Sequence, residues 1–163
     1  MVILVFGLPA TGKTYFSKKL AENINATHIN TDIIRERLGF KGRYDEKTKQ
    51  QVYNELFKNT QREFKKGADV IVDGTFHKSR RREQLKKLTT EANRNIYFIE
   101  IKAEEKTVRK RLNKGRKHSE ADVDVYEKIK SEFDFPVNGY LELWSDKEDI
   151  NDMIKKAKEY IDG

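Results

Sequence analysis

Short apolar runs alternate with longer amphipathic segments along the 163-residue chain. The runs have the length of buried strands, whereas the longer segments repeat apolar residues at helical spacing. This alternation is typical of β-α units wound onto a parallel sheet, so the chain is predicted to be an α/β protein. The predicted strands are Val2–Phe6, Ala26–Ile29, Asp69–Val72, Asn95–Ile101 and Tyr140–Trp144.

Helices are predicted between and after these strands. One of them starts after Gly12 and runs to about Asn23, a short one begins near Thr31, and a long one covers residues 46–66. Helices near residues 104–116 and 120–133 flank a charged, glycine-containing stretch that suits a mobile connection, and they predict a lid at about residues 104–120. A last helix carries Ile150, Ile154, Ala157 and Ile161 on one face. We expect a single domain over residues 1–163.

Composition narrows the classes of function. The chain has no cysteine, which excludes disulfides and thiolate chemistry, and its three histidines are too scattered for a histidine-based metal site. The apolar run that ends at Phe6 is too short to span a membrane and lacks a signal-peptide pattern, so the cytoplasm is the expected compartment. A net charge of +7 favours a polyanionic partner such as nucleic acid, or a multiply phosphorylated ligand.

The segment GLPATGKT, from Gly7 to Thr14, matches the phosphate-binding pattern G-x-x-x-x-G-K-[ST] in full, between a predicted strand and a predicted helix. In that setting backbone N–H groups converge on phosphate oxygens at the positive end of a helix. Lys13 is expected to reach the β and γ phosphates of ATP or another nucleoside triphosphate, and the Thr14 hydroxyl to ligate Mg²⁺. A dinucleotide-binding loop would need glycine where Pro9 lies. The predicted nucleotide contacts are Gly7, Pro9, Ala10, Thr11, Gly12, Lys13 and Thr14.

Asp32 and Arg35 follow the second predicted strand and should emerge beside the phosphate-binding loop. An ionised carboxylate in the first turn of a helix can accept the proton of an attacking hydroxyl. Arg35 lies three residues later on the same face and could hold an anionic group of the acceptor. Alternatively, Asp32 only complements the helix dipole and pairs with Arg35.

Asp73 ends the third predicted strand, within VIVDGTF. A carboxylate there usually supports the magnesium ion or orients the loop threonine, so Asp73 is assigned to the metal and kept as a rival to Asp32 for the general base. Thr75 is a possible acceptor contact, with a turn or helix cap as the alternative.

The predicted lid carries Arg109, Arg111 and Arg116, and a guanidinium group brought over the phosphates would stabilise transition-state charge. Arg116 is favoured because it lies in the loop between the two lid helices. The run of arginines at 80–82 is either a solvated face or a track for a polyanion, with the solvated face slightly favoured.

Together, GLPATGKT, NTDIIR, VIVDGTF and the lid run RKRLNKGRK resemble the P-loop kinase group that includes phage-type 5′-hydroxyl polynucleotide kinases, zeta-toxin-like kinases and related uncharacterised predicted kinases. The resemblance spans about residues 1–133 and implies a three-layer α/β/α fold, with a five-stranded parallel sheet of order 2-3-1-4-5 and a helical lid. Ala10 departs from the glycine usual in the polynucleotide kinases. The resemblance implies Lys13 and Thr14 on the nucleotide, Asp32 as general base, Arg35 on the acceptor phosphate, Asp73 in support and Arg116 as lid arginine.

The leading functional prediction is an ATP-dependent kinase that phosphorylates a hydroxyl, with the 5′-OH of a polynucleotide as the favoured acceptor. A small-molecule or nucleotide-sugar kinase of the same fold is the nearest alternative. An ATP-binding switch or ATPase is an alternative of another class, although such a protein would not need an acceptor base beside the phosphates. No membrane partner is expected, and the oligomeric state is left open.

Overall fold

The computed structural model describes residues 1–114 and 120–163, and within them strands and helices alternate as the apolar pattern predicts. The strands are β1 (Val2–Phe6), β2 (Thr27–Asn30), β3 (Val70–Asp73), β4 (Ile96–Lys102) and β5 (Leu141–Trp144). The helices are α1 (Lys13–Ile24), α2 (Thr31–Arg37), α3 (Glu46–Lys65), α4 (Ser79–Glu91), α5 (Glu105–Lys114), α6 (Glu120–Ser131) and α7 (Ile150–Asp162). Each predicted strand is confirmed to within one residue at either end.

All strand pairs are parallel, and the order β2-β3-β1-β4-β5 confirms the predicted sheet. Asp73 at the end of β3 is level with Val5 of β1 on one side and with Asn30 of β2 on the other. The loops that follow these three strands therefore emerge together at the carboxyl edge of the sheet, which is where open α/β folds bind ligands.

The central strand β1 is fully buried, which explains its continuous apolar sequence. Leu4 and Phe6 face a core formed with α3 and α4, whereas Ile3 and Val5 face a core formed with α1 and α7. The last helix packs its Ile154 face against the second core, as predicted. None of the described helices is both long and apolar enough to cross a lipid bilayer.

Helix α4 was missing from the sequence prediction, and its composition explains why. Leu85 is its only fully buried apolar side chain, and the rest of the buried face is made of Arg81, Arg82 and Thr89. Because these polar residues take positions that apolar residues normally occupy, the helix leaves almost no apolar period in the sequence. Its burial depends on the aliphatic stems of arginine and on internal hydrogen bonds.

Candidate active site

The phosphate-binding loop connects β1 to α1 through backbone angles that few residues tolerate. Gly7 has φ of 142°, and a Cβ added there would lie 2.5 Å from the carbonyl oxygen of Ile101. Gly12 has φ of 97°, and Ala10, at 61°, is one of the non-glycine residues in the left-handed region. The conformation thus depends on both glycines of the pattern, and at Ala10 the chain accepts a small side chain in a strained position.

Lys13 lies at the start of α1, with its Nζ donating to the Leu8 carbonyl oxygen at 2.6 Å. Burial lowers the pKa of Lys13 from its ordinary value, and the charges of Asp73 and Asp32 only partly oppose that effect. The ammonium group is therefore held over the loop, close to two carboxylates, in the position where a phosphate would stabilise its charge.

Asp73 is fully buried at the end of β3. Its Oδ2 accepts hydrogen bonds from Asn30 Nδ2 at 2.7 Å and from His28 Nε2 at 3.2 Å. Burial alone would raise the pKa of Asp73, but the hydrogen bond from His28, the charge of Lys13 and the hydrogen bonds from Asn30 and Thr14 outweigh it and lower the pKa. The site therefore keeps an ionised carboxylate away from bulk water.

The second oxygen of Asp73, Oδ1, is buried and has no hydrogen-bond partner among the described residues. A carboxylate oxygen beside the Thr14 hydroxyl matches the hard oxygen ligands that Mg²⁺ prefers. Within the described ranges no group of three or more His, Asp or Glu side chains could hold a metal. Mg²⁺ at this position would therefore take its other ligands from phosphate oxygens and water, as is usual when it accompanies a nucleotide.

Asp32 and Arg35 lie on α2, whose first residue follows β2 directly. Arg35 Nη1 donates to Asp32 Oδ1 at 2.7 Å, so the ion pair considered from the sequence is present. The Asp32 side chain is 76% exposed, whereas Arg35 is buried with its guanidinium stacked 4.6 Å from the ring centroid of Tyr44. The stacked arginine fixes one oxygen of Asp32, and the exposure of the side chain leaves the carboxylate accessible to other partners.

A cavity of about 400 Å³ joins these groups. Its polar side includes Lys13, Asp32, Asp73 and Thr75, and Tyr44 contributes an exposed ring. It also has an apolar side, which comes from α5, within the predicted lid, and from α6, which follows the lid. The residues on this side are Leu112 of α5 and Val125 and Ile129 of α6.

A second cavity, of about 570 Å³, meets the first at Gly12 and Tyr15. Its wall includes Arg111, Ser145 and Met153. Arg111 Nη1 donates to the Ala10 carbonyl oxygen at 3.2 Å and to Ser145 Oγ at 2.9 Å. The two cavities thus lie on either side of the phosphate-binding loop.

The predicted lid arginines have different surroundings. Arg109 pairs with Glu105 and Glu127 and so joins α5 to α6, away from the loop. Arg111 contacts the loop backbone, as described above. Arg116, the favoured lid arginine, lies outside the described residues.

The arginines of α4 do not form a polyanion track. Arg81 is buried against the ring of Tyr53, and Arg82 is buried where it donates to the carbonyl oxygens of Phe76 and Asp134. Only Arg80 of the three is exposed, and it pairs with Glu46. Two of the three charges are therefore occupied by internal contacts, a result that neither sequence alternative anticipated.

His28 and Asn30 were missed as site residues. Both belong to β2, whose pairing with β3 places them against Asp73. The alternation along β2 was a weak signal: His28 and Asn30 are two positions apart and so share one side of the strand, and polar side chains on a largely buried strand need partners. His77, by contrast, lies away from the cavity near Glu132, as an ordinary buried histidine.

Comparison with known proteins adds a family and a fold. Residues 2–136 match the family AAA_33, described as an AAA domain. The chain is 33% identical over 170 aligned residues to the L-seryl-tRNA(Sec) kinase of Methanococcus maripaludis. That match covers 99% of this chain, but the chain spans only 61% of the length of the relative.

Solved kinases share the architecture at low sequence identity. The APS kinase CysC of Mycobacterium tuberculosis, in complex with AMPPNP and APS, superposes with a TM-score of 0.80 at 14% identity, covering 99% of this chain and 97% of that one. A sugar kinase from Janibacter sp. gives a TM-score of 0.77 at 13% identity, covering 99% and 94%. At such identities the likeness shows the P-loop kinase fold alone.

Proposed function

The chain belongs to the AAA domain family AAA_33, and on that premise we propose that it transfers the γ-phosphoryl group of ATP to an acceptor hydroxyl. The observation that carries this proposal is the cavity in which an open carboxylate, Asp32, stands beside the phosphate-binding loop. A nucleotide switch would need the loop but has no use for a base on the acceptor side. A single kinase domain over residues 1–163, with a lid at about residues 104–120, is part of the same proposal.

The donor half of the reaction is assigned to the phosphate-binding loop. Backbone N–H groups of the loop and Lys13 bind the β and γ phosphates, while the cavity beside Arg111 takes the nucleoside. Mg²⁺, when bound near Thr14 and Asp73, offsets charge on the transferring group. A bound phosphate would stabilise the charged form of Lys13, because it replaces the solvation that the buried ammonium group has lost.

The acceptor half is assigned to Asp32, which takes the proton of the attacking hydroxyl through Oδ2. Arg35 holds the other carboxylate oxygen, and its proposed second role is to bind an anionic group of the acceptor. The burial of Asp73 and its bonds to Asn30 and His28 favour Asp32 over Asp73 as the base, since Asp73 is already engaged. Thr75 lies on the cavity wall and is a candidate acceptor contact.

The lid and helix α6, which follows it, complete the site in this proposal. Leu112, Val125 and Ile129 present apolar side chains over the cavity, and such a cover excludes water, which would otherwise compete with the acceptor for the phosphoryl group. Arg116 remains the proposed transition-state arginine.

We favour a hydroxyl carried by a nucleic acid as the acceptor, with the 5′-OH of a polynucleotide first. The apolar face formed by α5 and α6 and the ring of Tyr44 suit a flat nucleobase better than a densely hydroxylated sugar. The net charge of +7 also favours a nucleic-acid acceptor, although the buried Arg81 and Arg82 cannot contact one at the surface. The seryl hydroxyl of a charged tRNA is the second candidate, favoured by the 33% identity to the L-seryl-tRNA(Sec) kinase.

The test is transfer from γ-labelled ATP and Mg²⁺ to a panel of acceptors: 5′-hydroxyl oligonucleotides, seryl-tRNA, uncharged tRNA, sugars and nucleotide sugars. We expect label on the oligonucleotide, and none with Lys13→Ala. Lys18→Ala, an exposed lysine on the same helix, should transfer like the wild type.

The other outcomes separate the alternatives. Label on seryl-tRNA but not on uncharged tRNA would move the acceptor to the second candidate, and label on small molecules alone would overturn a nucleic-acid acceptor. Tight ATP binding with no transfer to any acceptor would instead support an ATP-binding switch or ATPase.

A further inference from the structure

Asn30 occupies the junction between the two halves of the candidate site. It is the last residue of β2 and is only 5% exposed. Its Nδ2 donates to Asp73 Oδ2 at 2.7 Å and lies 3.3 Å from Thr14 Oγ1. Its Oδ1 accepts from the backbone N–H groups of Asp32 and Ile33, at 2.8 and 3.0 Å. A single planar amide thus contacts the donor side through its nitrogen and the acceptor side through its oxygen.

No other side chain in the described parts of the chain hydrogen-bonds both to the Thr14 and Asp73 pair and to the start of α2. Asn30 is also the N-cap of α2, a helix of only two turns whose first turn carries Asp32. A helix this short has little stability of its own, so its orientation depends on the cap and on packing. The direction of the Asp32 carboxylate therefore depends on Asn30.

Packing leaves α2 little freedom on the side of β3. A Cβ added at Gly74 would lie 2.7 Å from Thr31 Cγ2, which means that the first residue of α2 rests directly on the backbone after Asp73. Ile34, on the same helix, is buried in the core. The amide of Asn30 adds a polar restraint on the first turn, because it hydrogen-bonds to Asp73 and also accepts from Asp32 N and Ile33 N.

We propose that Asn30 is a positioning residue that couples occupancy of the phosphate and metal side to the placement of Asp32. The inference rests on the proposed kinase function. Binding of a magnesium nucleotide next to Thr14 and Asp73 fixes the two groups that Nδ2 contacts. Since the amide is planar, the same event fixes Oδ1 and orders the first turn of α2. The Asp32 carboxylate is then brought to the acceptor hydroxyl only when the donor is present.

The first test follows backbone amide exchange in α2, which needs no catalysis. In the wild type, adding Mg²⁺ with a non-hydrolysable ATP analogue should slow exchange at Asp32 and Ile33. Asn30→Ala should lose that increment, and exchange at both amides should be fast without ligand because the cap is gone. Asn30→Ser retains a cap oxygen but is too short to donate to Asp73, so basal protection should be largely retained while the ligand-dependent increment is lost. Asn23→Ala, an exposed asparagine of α1, should behave as the wild type.

The second test is a double-mutant cycle on the transfer reaction. Asn30→Ala should lower kcat by about 100-fold, the scale of a misplaced catalytic group, with the KM for ATP changed less than about threefold. In an Asp32→Asn background the same change should cost almost nothing further, because Asn30 acts through Asp32. Asn23→Ala should leave kcat unchanged in both backgrounds.

The two tests separate this inference from the proposed function. Additive losses in the cycle, or a ligand-dependent increment that survives in Asn30→Ala, would overturn the role of Asn30 even if the protein is a kinase. Conversely, a wild type that transfers phosphate to nothing would overturn the kinase assignment, while the exchange data would still decide whether Asn30 couples the two sides. A purely structural Asn30 would lower the melting temperature and raise exchange throughout the sheet in both variants.

Discussion

Asp73 and Glu100 are both buried carboxylates, yet their surroundings shift their pKa values in opposite directions. For Asp73, burial is outweighed by hydrogen bonds and by Lys13, and the pKa is lowered. For Glu100, burial raises the pKa, and Lys102 and Arg82 do not cancel that effect, which Glu142 reinforces. Glu100 Oε2 also lacks a hydrogen-bond partner among the described residues. Asp73 is thus kept ionised and can bind a cation, whereas Glu100 destabilises the folded protein once it is ionised.

Glu100→Gln should therefore stabilise the protein at neutral pH, by on the order of 1 kcal/mol, because a buried charge with poor pairing is removed. The wild type has its folded-state pKa above the unfolded one, so its stability falls as pH rises from about 4.5 towards the raised pKa. The gain should be absent at pH 4 and present at pH 7 in urea unfolding. An exposed control, Glu91→Gln, should show no such pH dependence. A variant less stable than the wild type at pH 7 would contradict this account.

At the scale of elements, the helices differ in how clearly the sequence predicts them. Helix α7 shows an apolar face built on Ile154 and Ala157, so its position and its packing against the sheet could be predicted. Helix α4 could not, because arginines fill its buried face. The guanidinium of Arg82 lies over the rings of Phe6 and Phe133 and donates to two backbone carbonyl oxygens. A charged residue thus takes the place of an apolar core residue, and a hydrophobic pattern does not detect it.

Arg82→Met should destabilise the protein by about 2–3 kcal/mol, because methionine keeps much of the apolar contact but leaves the buried carbonyl oxygen of Phe76 and the part-buried one of Asp134 without their donor. Arg80→Met, in the same helix but exposed, should change stability by less than about 0.5 kcal/mol. Denaturant unfolding measures both. If the arginines of α4 were instead a nucleic-acid track, the two variants would weaken oligonucleotide binding alike and Arg82→Met would keep wild-type stability.

At the scale of the whole molecule, the parallel sheet is what assembles the site. The sequence predicted the strands, the phosphate-binding loop and the nearness of Asp32, because the ends of β1, β2 and β3 must meet at one edge. It did not predict that Asn30 and His28 hold Asp73, because those contacts depend on the register between β2 and β3, which no local pattern specifies. Nor could composition reveal that much of the arginine charge near α4 is internal.

The most direct test of the kinase account compares Asp32→Asn with Glu36→Gln, a matched change to an exposed carboxylate on the same helix. ATP affinity and single-turnover transfer to the best acceptor of the panel are measured for each variant. We expect both variants to bind ATP like the wild type and Glu36→Gln to transfer normally. Asp32→Asn should lose at least about 100-fold in transfer, the scale of a lost general base. Undiminished transfer by Asp32→Asn would contradict the assignment of Asp32 as general base, and with it the proposed kinase function.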